Sequence, residues 1–205
     1  MKKLLLAFAA ILLFSVPAQA FDNYFKAGPY VSAGVGGQYI AETDISKTPY
    51  SLTFDVGYGG TVAAGYKWKQ GWRVELEGSY FTSDLGRGKE DDKSIDVDGS
   101  LDMKSIMGNV LYEFSGTETR LFSYLGAGVG YGWSDSEIKY WSLSADGSTS
   151  IPLVQPIVGI GYRLTENISL DLDYKLKVGL KELDYDGVKG DYLSNRVTGG
   201  IRFTF

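Results

Sequence analysis

The stretch Ile168-Ser169-Leu170-Asp171-Leu172-Asp173-Tyr174-Lys175-Leu176-Lys177-Val178-Gly179-Leu180-Lys181 decides the fold. A strand sends successive side chains to opposite faces. Read that way, one face is Ile168, Leu170, Leu172, Tyr174, Leu176, Val178 and Leu180, without a charge. The other carries Asp171, Asp173, Lys175, Lys177 and Lys181. A helix of this sequence would scatter its charges around the axis, so period-2 alternation predicts a strand.

The same alternation runs through the chain in eight segments, at 25–41, 54–68, 71–84, 101–114, 120–136, 151–165, 168–184 and 191–205. In the third, Trp72, Val74, Leu76, Gly78 and Tyr80 oppose Arg73, Glu75, Glu77, Ser79 and Phe81. In the fifth, Leu121, Leu125, Ala127, Val129, Tyr131 and Trp133 oppose Phe122, Tyr124, Gly126, Gly128, Gly130 and Gly132. The connections alternate too. Those near Gln70, at 115–119 and at 165–167 are tight, and those at 42–53, 85–100, 137–150 and 185–190 are longer. Short and long loops at alternate ends describe an up-and-down meander in one domain.

No charge is expected on the apolar face of any segment. A soluble sandwich would turn that face inward. A transmembrane barrel turns it to lipid and its polar face to the lumen. The unbroken apolar face favours the barrel, since a charge at the bilayer midplane costs about 2–4 kcal/mol. So do two sets of strand-end aromatics. Trp68, Trp72, Tyr112, Phe114, Tyr162, Phe203 and Phe205 mark the short-turn end, and Tyr39, Phe54, Tyr80 and Trp133 the long-loop end. These read as interfacial girdles. The expected fold is all-β, an eight-stranded antiparallel up-and-down transmembrane barrel. It must close, because an open edge in lipid leaves backbone groups unpaired.

The first twenty residues read as an address. Lys2 and Lys3 precede an apolar run at 4–14, and Ala18-Gln19-Ala20 has the small-residue pattern of a cleavage site. Residues 1–20 are expected to be a secretory signal removed after Ala20, and 21–205 the barrel domain. Loss of Lys2 and Lys3 takes the formal net charge from −5 to −7. Export without any apolar run long enough for a membrane helix fits a barrel.

Composition narrows the chemistry. The 205 residues hold no Cys and no His, so thiol sites, imidazole bases and His-bound metals are excluded. An acidic balance argues against nucleic acid as a partner. With 27 Gly and 15 Tyr and a mean hydropathy of −0.09, the chain has a β composition too polar for a helical bundle. Glu75 with Glu77, or Asp171 with Asp173, would be the only carboxylate pairs for His-free catalysis. Ion pairing is the better reading, since buried charges must be paired. No enzyme activity, cofactor or metal site is expected.

The signal, the eight amphipathic segments and the ending Arg202-Phe203-Thr204-Phe205 resemble the small eight-stranded outer-membrane barrels, the group of the OmpA transmembrane domain, OmpX-like proteins and opacity-related surface antigens. That resemblance implies a bacterial outer-membrane location. It also implies an assembly signal read by the outer-membrane assembly machinery, here Tyr192, Ile201, Phe203 and Phe205. Unlike OmpA, the chain is expected to end at the barrel. Related outer-membrane enzymes, the lipid A deacylases and palmitoyl transferases, rely on His that this chain lacks.

The lumen of an eight-stranded barrel is just wide enough for its own side chains. Lys67, Arg73, Arg163, Lys175, Lys177, Arg196 and Arg202 are expected to pair there with Asp55, Glu75, Glu77, Glu113, Asp171 and Asp173, as a plugged polar core. The inward glycines would make room for long Arg and Lys side chains and permit tight curvature, or leave a small aqueous cavity or narrow conduit. Outside, four loops would meet lipopolysaccharide through Arg87, Lys89 and Lys93, or host molecules through Tyr140 and Trp141, a pair that reads more readily as part of the upper girdle. Asp96 and Asp98 lack the rest of a calcium loop. The expected role is that of a monomeric structural surface antigen. A loop-borne adhesin and a narrow solute channel stand as alternatives.

Overall fold

The computed structural model describes residues 26–40, 43–44, 51–54, 56–90, 93–95, 99–114, 120–140, 143–181, 183–185, 188–190 and 192–205, with the side chains of 41–55, 84–101, 135–149 and 182–191 left aside. The expected signal segment and Asp55 lie outside them. Eight long strands form the wall: β1 Gly28–Ile40, β2 Gly57–Lys67, β3 Trp72–Glu90, β4 Gly99–Phe114, β5 Leu121–Tyr140, β6 Leu143–Arg163, β7 Ile168–Gly179 and β8 Leu193–Thr204. Each pairs antiparallel with its sequence neighbours, and β8 returns to β1 with Tyr30 opposite Thr204. The chain is thus an eight-stranded closed antiparallel β-barrel.

At the short-turn end the chain reverses sharply. Gly71 adopts φ +90°, and a Cβ there would stand 2.7 Å from the Glu113 carbonyl oxygen. Only glycine meets both demands. The β6–β7 turn is held by the Thr165 hydroxyl, which accepts from the amides of Ile168 at 3.0 Å and Asn167 at 3.3 Å. The end of β8 is stitched on both sides. The Asn167 side-chain amide donates to the Thr204 carbonyl at 2.7 Å, and the Phe205 amide to the Pro29 carbonyl at 3.0 Å.

Four of the strands outrun the alternation. Residues 137–150, expected as a loop, pair continuously as a hairpin from Leu121↔Tyr162 to Tyr140↔Leu143. Residues 85–90 and 99–100, expected in the third loop-to-strand connection, also carry strand pairing, and Lys93–Ile95 folds back on β3. Thr43–Asp44 with Ser51–Phe54, and Leu183–Tyr185 with Val188–Gly190, form short ladders at the other two long connections, and the seventh wall strand ends at Gly179, short of the expected 184. Beyond the bilayer neither face must be apolar, so a strand there loses the pattern that reveals it.

The outward face is apolar from girdle to girdle. Val35, Val62, Leu76, Val129, Leu172 and Ile201 are all exposed. At the short-turn end Tyr66–Trp68, Trp72–Tyr112 and Phe203–Phe205 pack edge to face at 5.0, 5.0 and 5.1 Å. At about 3.4 Å per residue and a tilt of about 40°, the climb from Trp72 to Tyr80 is about 20 Å, close to the apolar band of such barrels. One expectation is corrected here. Lys104 and Asp102 stand on the outward face, with Lys104 between Tyr80 and Trp133 in register and Tyr80 hydrogen-bonded to Asp102. They sit at the upper girdle, where a long side chain carries its ammonium into the headgroup region.

Candidate functional site

The lumen is the candidate site. Its side chains fall into three layers along the barrel axis.

Nearest the short turns lies Glu113, the last inward residue of β4. Lys67 approaches one carboxylate oxygen at 2.8 Å, and Arg163 pairs with the same atom. Arg202 and Arg73 stand 3.7 and 3.9 Å from the other oxygen. One carboxylate thus gathers a cation from each of β2, β3, β6 and β8. All four cations are buried.

The middle layer is the most evenly charged. Glu75 accepts from the Tyr30 hydroxyl at 2.6 Å, from Asn109 at 3.0 Å and from Arg73 at 3.3 Å. Glu77 meets Lys175 at 2.6 Å, and Lys175 reaches Asp173 at 3.4 Å. Arg202 turns its second terminal nitrogen to Asp171 at 3.3 Å. Gln155 donates to Asn109 at 2.8 Å, carrying the network to β6.

The upper layer holds cations on neutral partners. Lys177 donates to Ser105 at 2.5 Å and to Ser79 at 3.0 Å, with Glu77 no closer than 3.9 Å. Arg196 donates to Gln38 at 3.0 Å, to Ser79 at 3.1 Å and to the Tyr192 hydroxyl at 3.3 Å.

The inward glycines of β2, β5 and β6 do not serve as room for Arg and Lys. Each is covered by a side chain from a neighbouring strand. A Cβ at Gly159 would meet the Tyr124 ring, at Gly161 the Phe122 ring, at Gly65 the Tyr30 ring and at Gly59 the Phe81 ring, all inside 3.0 Å. Gly126, Gly128 and Gly130 are covered in the same way by Leu111, Asn109 and Met107. The rings in turn carry the guanidinium groups. Arg196 stacks over Phe81 at 4.1 Å, Arg163 over Phe122 at 4.7 Å, and Arg73 over Tyr124 and Tyr30 at 5.0 and 5.2 Å. Cation–π contacts gain strength when desolvated.

The interior is also less polar than expected. Met103, Met107, Ile151, Leu153 and Tyr192 form one buried apolar cluster, and Leu111, Phe122, Tyr124 and Ile157 another. These come mostly from β4, β5 and β6, while β3, β7 and β8 supply most of the charge. One wall of the lumen is apolar and the other ionic. In the middle layer a cavity of about 30 Å³ opens between them, lined by Thr198, Glu77 and Asp173 and by the small residues Gly34, Ala63 and Gly200.

The remaining sequence candidates are more dispersed. Ile201, Phe203 and Phe205 lie exposed on the outer face, whereas Tyr192 is buried in the lumen on the opposite face. Arg87, Lys89, Lys93 and Tyr140 lie in paired backbone at the long-loop end, but their side chains and the whole of Trp141 are outside the described residues. Among the described residues no cluster of three or more acidic side chains could hold a metal ion. Tyr30, Gln38, Ser79, Asn109 and Gln155 were not singled out by charge pairing. Their inward position on the alternation was the available signal.

A closed barrel with an apolar outer belt and an ionic lumen is matched at the level of sequence. Residues 6–202 fit the family described as the outer membrane protein beta-barrel domain. The chain belongs to that family. This outer-membrane barrel is similar in fold to Neisserial surface protein A, with a TM-score of 0.60 and 19% identity over 88% of this chain and 99% of that one. It is similar to OprG from Pseudomonas aeruginosa, with a TM-score of 0.59 and 15% identity over 90% and 100%. It also resembles Ail, the attachment invasion locus protein of Yersinia pestis, solved with the heparin analogue sucrose octasulfate, with a TM-score of 0.51 and 14% identity over 87% and 100%. No curated protein matches this outer-membrane barrel in sequence.

Proposed function

We propose that this outer-membrane barrel is an exported, signal-cleaved, monomeric scaffold with a closed lumen, which presents four loops at the cell surface. The observation that carries this reading is the lumen itself. Lys67, Arg73, Glu113, Lys175, Lys177, Arg196 and Arg202 are all buried, held across the barrel by ion pairs and aromatic rings. A conducting pore would need those side chains to part along the whole axis. Leaving any one of them unpaired is costly.

With the interior occupied by structure, function moves to the surface. The loops are proposed to contact lipopolysaccharide or host surface molecules. The exposed Ile201, Phe203 and Phe205 are proposed to be read during membrane assembly, with Tyr192 serving in the lumen instead.

Single-channel recording on the refolded mature barrel tests the closed lumen, with insertion checked by a heat-sensitive shift on a denaturing gel. The expected result is silence. Reproducible current steps from an inserted barrel would replace the scaffold with a small-solute channel.

A further inference from the structure

We propose that Asp102 and Lys104, on the outer wall of β4, form a binding site for a zwitterionic lipid headgroup of the phosphoethanolamine type. Lys104 takes the phosphate and Asp102 the primary ammonium. The site depends on the depth of these residues at the upper girdle and stands whether or not the lumen conducts.

Three observations meet there. The first is charge where the wall otherwise has none. Among the described side chains of the eight wall strands, Asp102 and Lys104 are the charged groups that face outward. Lys104 is exposed and Asp102 half-buried. Two residues apart on a strand, they share a face. The second is their order. β4 runs from the long-loop end to the short-turn end, so Asp102 lies farther from the bilayer centre than Lys104. At about 3.4 Å per residue and a tilt of about 40°, the difference is about 5 Å along the membrane normal. A phosphoethanolamine lipid carries its phosphate next to the chains and its ammonium beyond, across two carbons. Each of its charges thus meets the opposite charge on the wall. The third is the aromatic surround. Tyr80 and Trp133 flank Lys104 in register. The Tyr80 hydroxyl is bonded to Asp102. Tyr58 is exposed and stands opposite Thr82, which is itself opposite Asp102. An ammonium drawn to Asp102 therefore arrives beside two tyrosine rings, where cation–π attraction adds to the charge. Trp133 brings to the phosphate level an indole N–H, which only donates.

The pair selects its guest by sign and by hydrogen bonding. A purely anionic headgroup is drawn to Lys104 and repelled by Asp102, and a bare cation meets the reverse. Choline has the right order of charge but no N–H to give the carboxylate. A primary ammonium donates to it directly, in a charge-assisted bond. An exposed ion pair of Asp102 with Lys104 contributes only about 0–1 kcal/mol, so a lipid that offers both charges can replace it.

The test is a titration of isotope-labelled barrel in phosphatidylcholine nanodiscs with graded phosphatidylethanolamine, followed by amide shifts on β4 and by the Trp133 indole N–H. Saturable shifts at Asp102, Lys104 and Trp133 are expected. Phosphatidylethanolamine should be preferred over phosphatidylglycerol by about fivefold, the size that one or two exposed charge contacts supply. The exchanged variant Asp102→Lys with Lys104→Asp keeps the composition and net charge and reverses the order. It is expected to lose the response while keeping the heat-sensitive gel shift of a folded barrel. Should that variant fail to fold, Asp102→Asn alone is expected to abolish the preference over phosphatidylglycerol. Equal responses to all three lipids in the parent barrel, or a response that survives the exchange, would overturn the site. So would an equal response to free O-phosphoethanolamine in the buffer, which would make the ligand a soluble one. Channel current in a barrel that keeps the lipid preference removes the closed lumen alone, and loss of the preference in a silent barrel removes this site alone.

Discussion

The Tyr124 ring lies over the bare backbone of Gly159, so close that a Cβ on residue 159 would fall 2.3 Å from the ring carbon Cζ. The ring cannot yield easily. Its hydroxyl donates to Asp173 at 3.3 Å, and Arg73 stacks on its face. Gly159→Ala is therefore expected to destabilise the barrel by about 1–3 kcal/mol, the usual range for overpacking. The midpoint of urea unfolding in phospholipid vesicles measures it. An unchanged midpoint would mean that the ring is loosely held.

Glu113 should be the most costly lumen carboxylate to neutralise. Glu113→Gln leaves Lys67, Arg73, Arg163 and Arg202 facing one another around a neutral amide. Breaking a buried pair from one side costs about 3–5 kcal/mol. The same vesicle-based unfolding should place this variant well below Glu75→Gln, because a Gln amide oxygen can still accept from Asn109 while its NH2 donates to the Tyr30 hydroxyl oxygen.

The two lysines of β7 should behave differently. Lys175 joins Glu77 and Asp173, so Lys175→Met strands two carboxylates. Lys177 rests mainly on the hydroxyls of Ser79 and Ser105, so Lys177→Met removes a buried charge and leaves chiefly neutral groups without it, while Glu77, 3.9 Å away, keeps Lys175. Lys175→Met is expected to lower stability strongly, and Lys177→Met by clearly less, since its lost charge-assisted bonds are offset by no longer burying an ammonium. Equal losses would show that the upper layer is as tightly coupled as the middle one.

Depth in the bilayer should govern charge tolerance on the outer wall. Leu76 lies midway between Trp72 and Tyr80 and is well exposed to lipid. Leu76→Lys should cost about 2–4 kcal/mol, whereas Lys104→Leu at the girdle should change stability by about 0–1 kcal/mol. Reversible folding into lipid vesicles gives both values. A small penalty at position 76 would move the hydrocarbon belt away from the assigned girdles.

Strands were legible where the two faces differ in kind. Leu170 against Asp171, or Val74 against Glu75, needs no structure to orient it. On β4 and β6 the inward residues Met103, Met107, Ile151 and Leu153 are as apolar as their lipid-facing neighbours. Hydropathy alone could not show an apolar wall inside the lumen. The hairpin beyond Trp133 escaped for another reason, its residues being mostly polar so that the alternation weakens there. Individual ion pairs were out of reach as well. Lys175 and Glu77 are 98 residues apart and meet across the lumen only after closure sets the register. The glycines were misread because their purpose lies on another strand, in Tyr124, Phe122 and Phe81.

The seam between β1 and β8 ties Tyr30 to Thr204 and Pro29 to Phe205. The first strand of the barrel therefore finds one of its two neighbours only when the eighth strand arrives. Until then the nascent polypeptide has an unpaired edge and an apolar outer surface. Neither would survive long in water without aggregating. Such a chain has no useful half-folded form. Closure of the barrel is thus expected to be a late, concerted event.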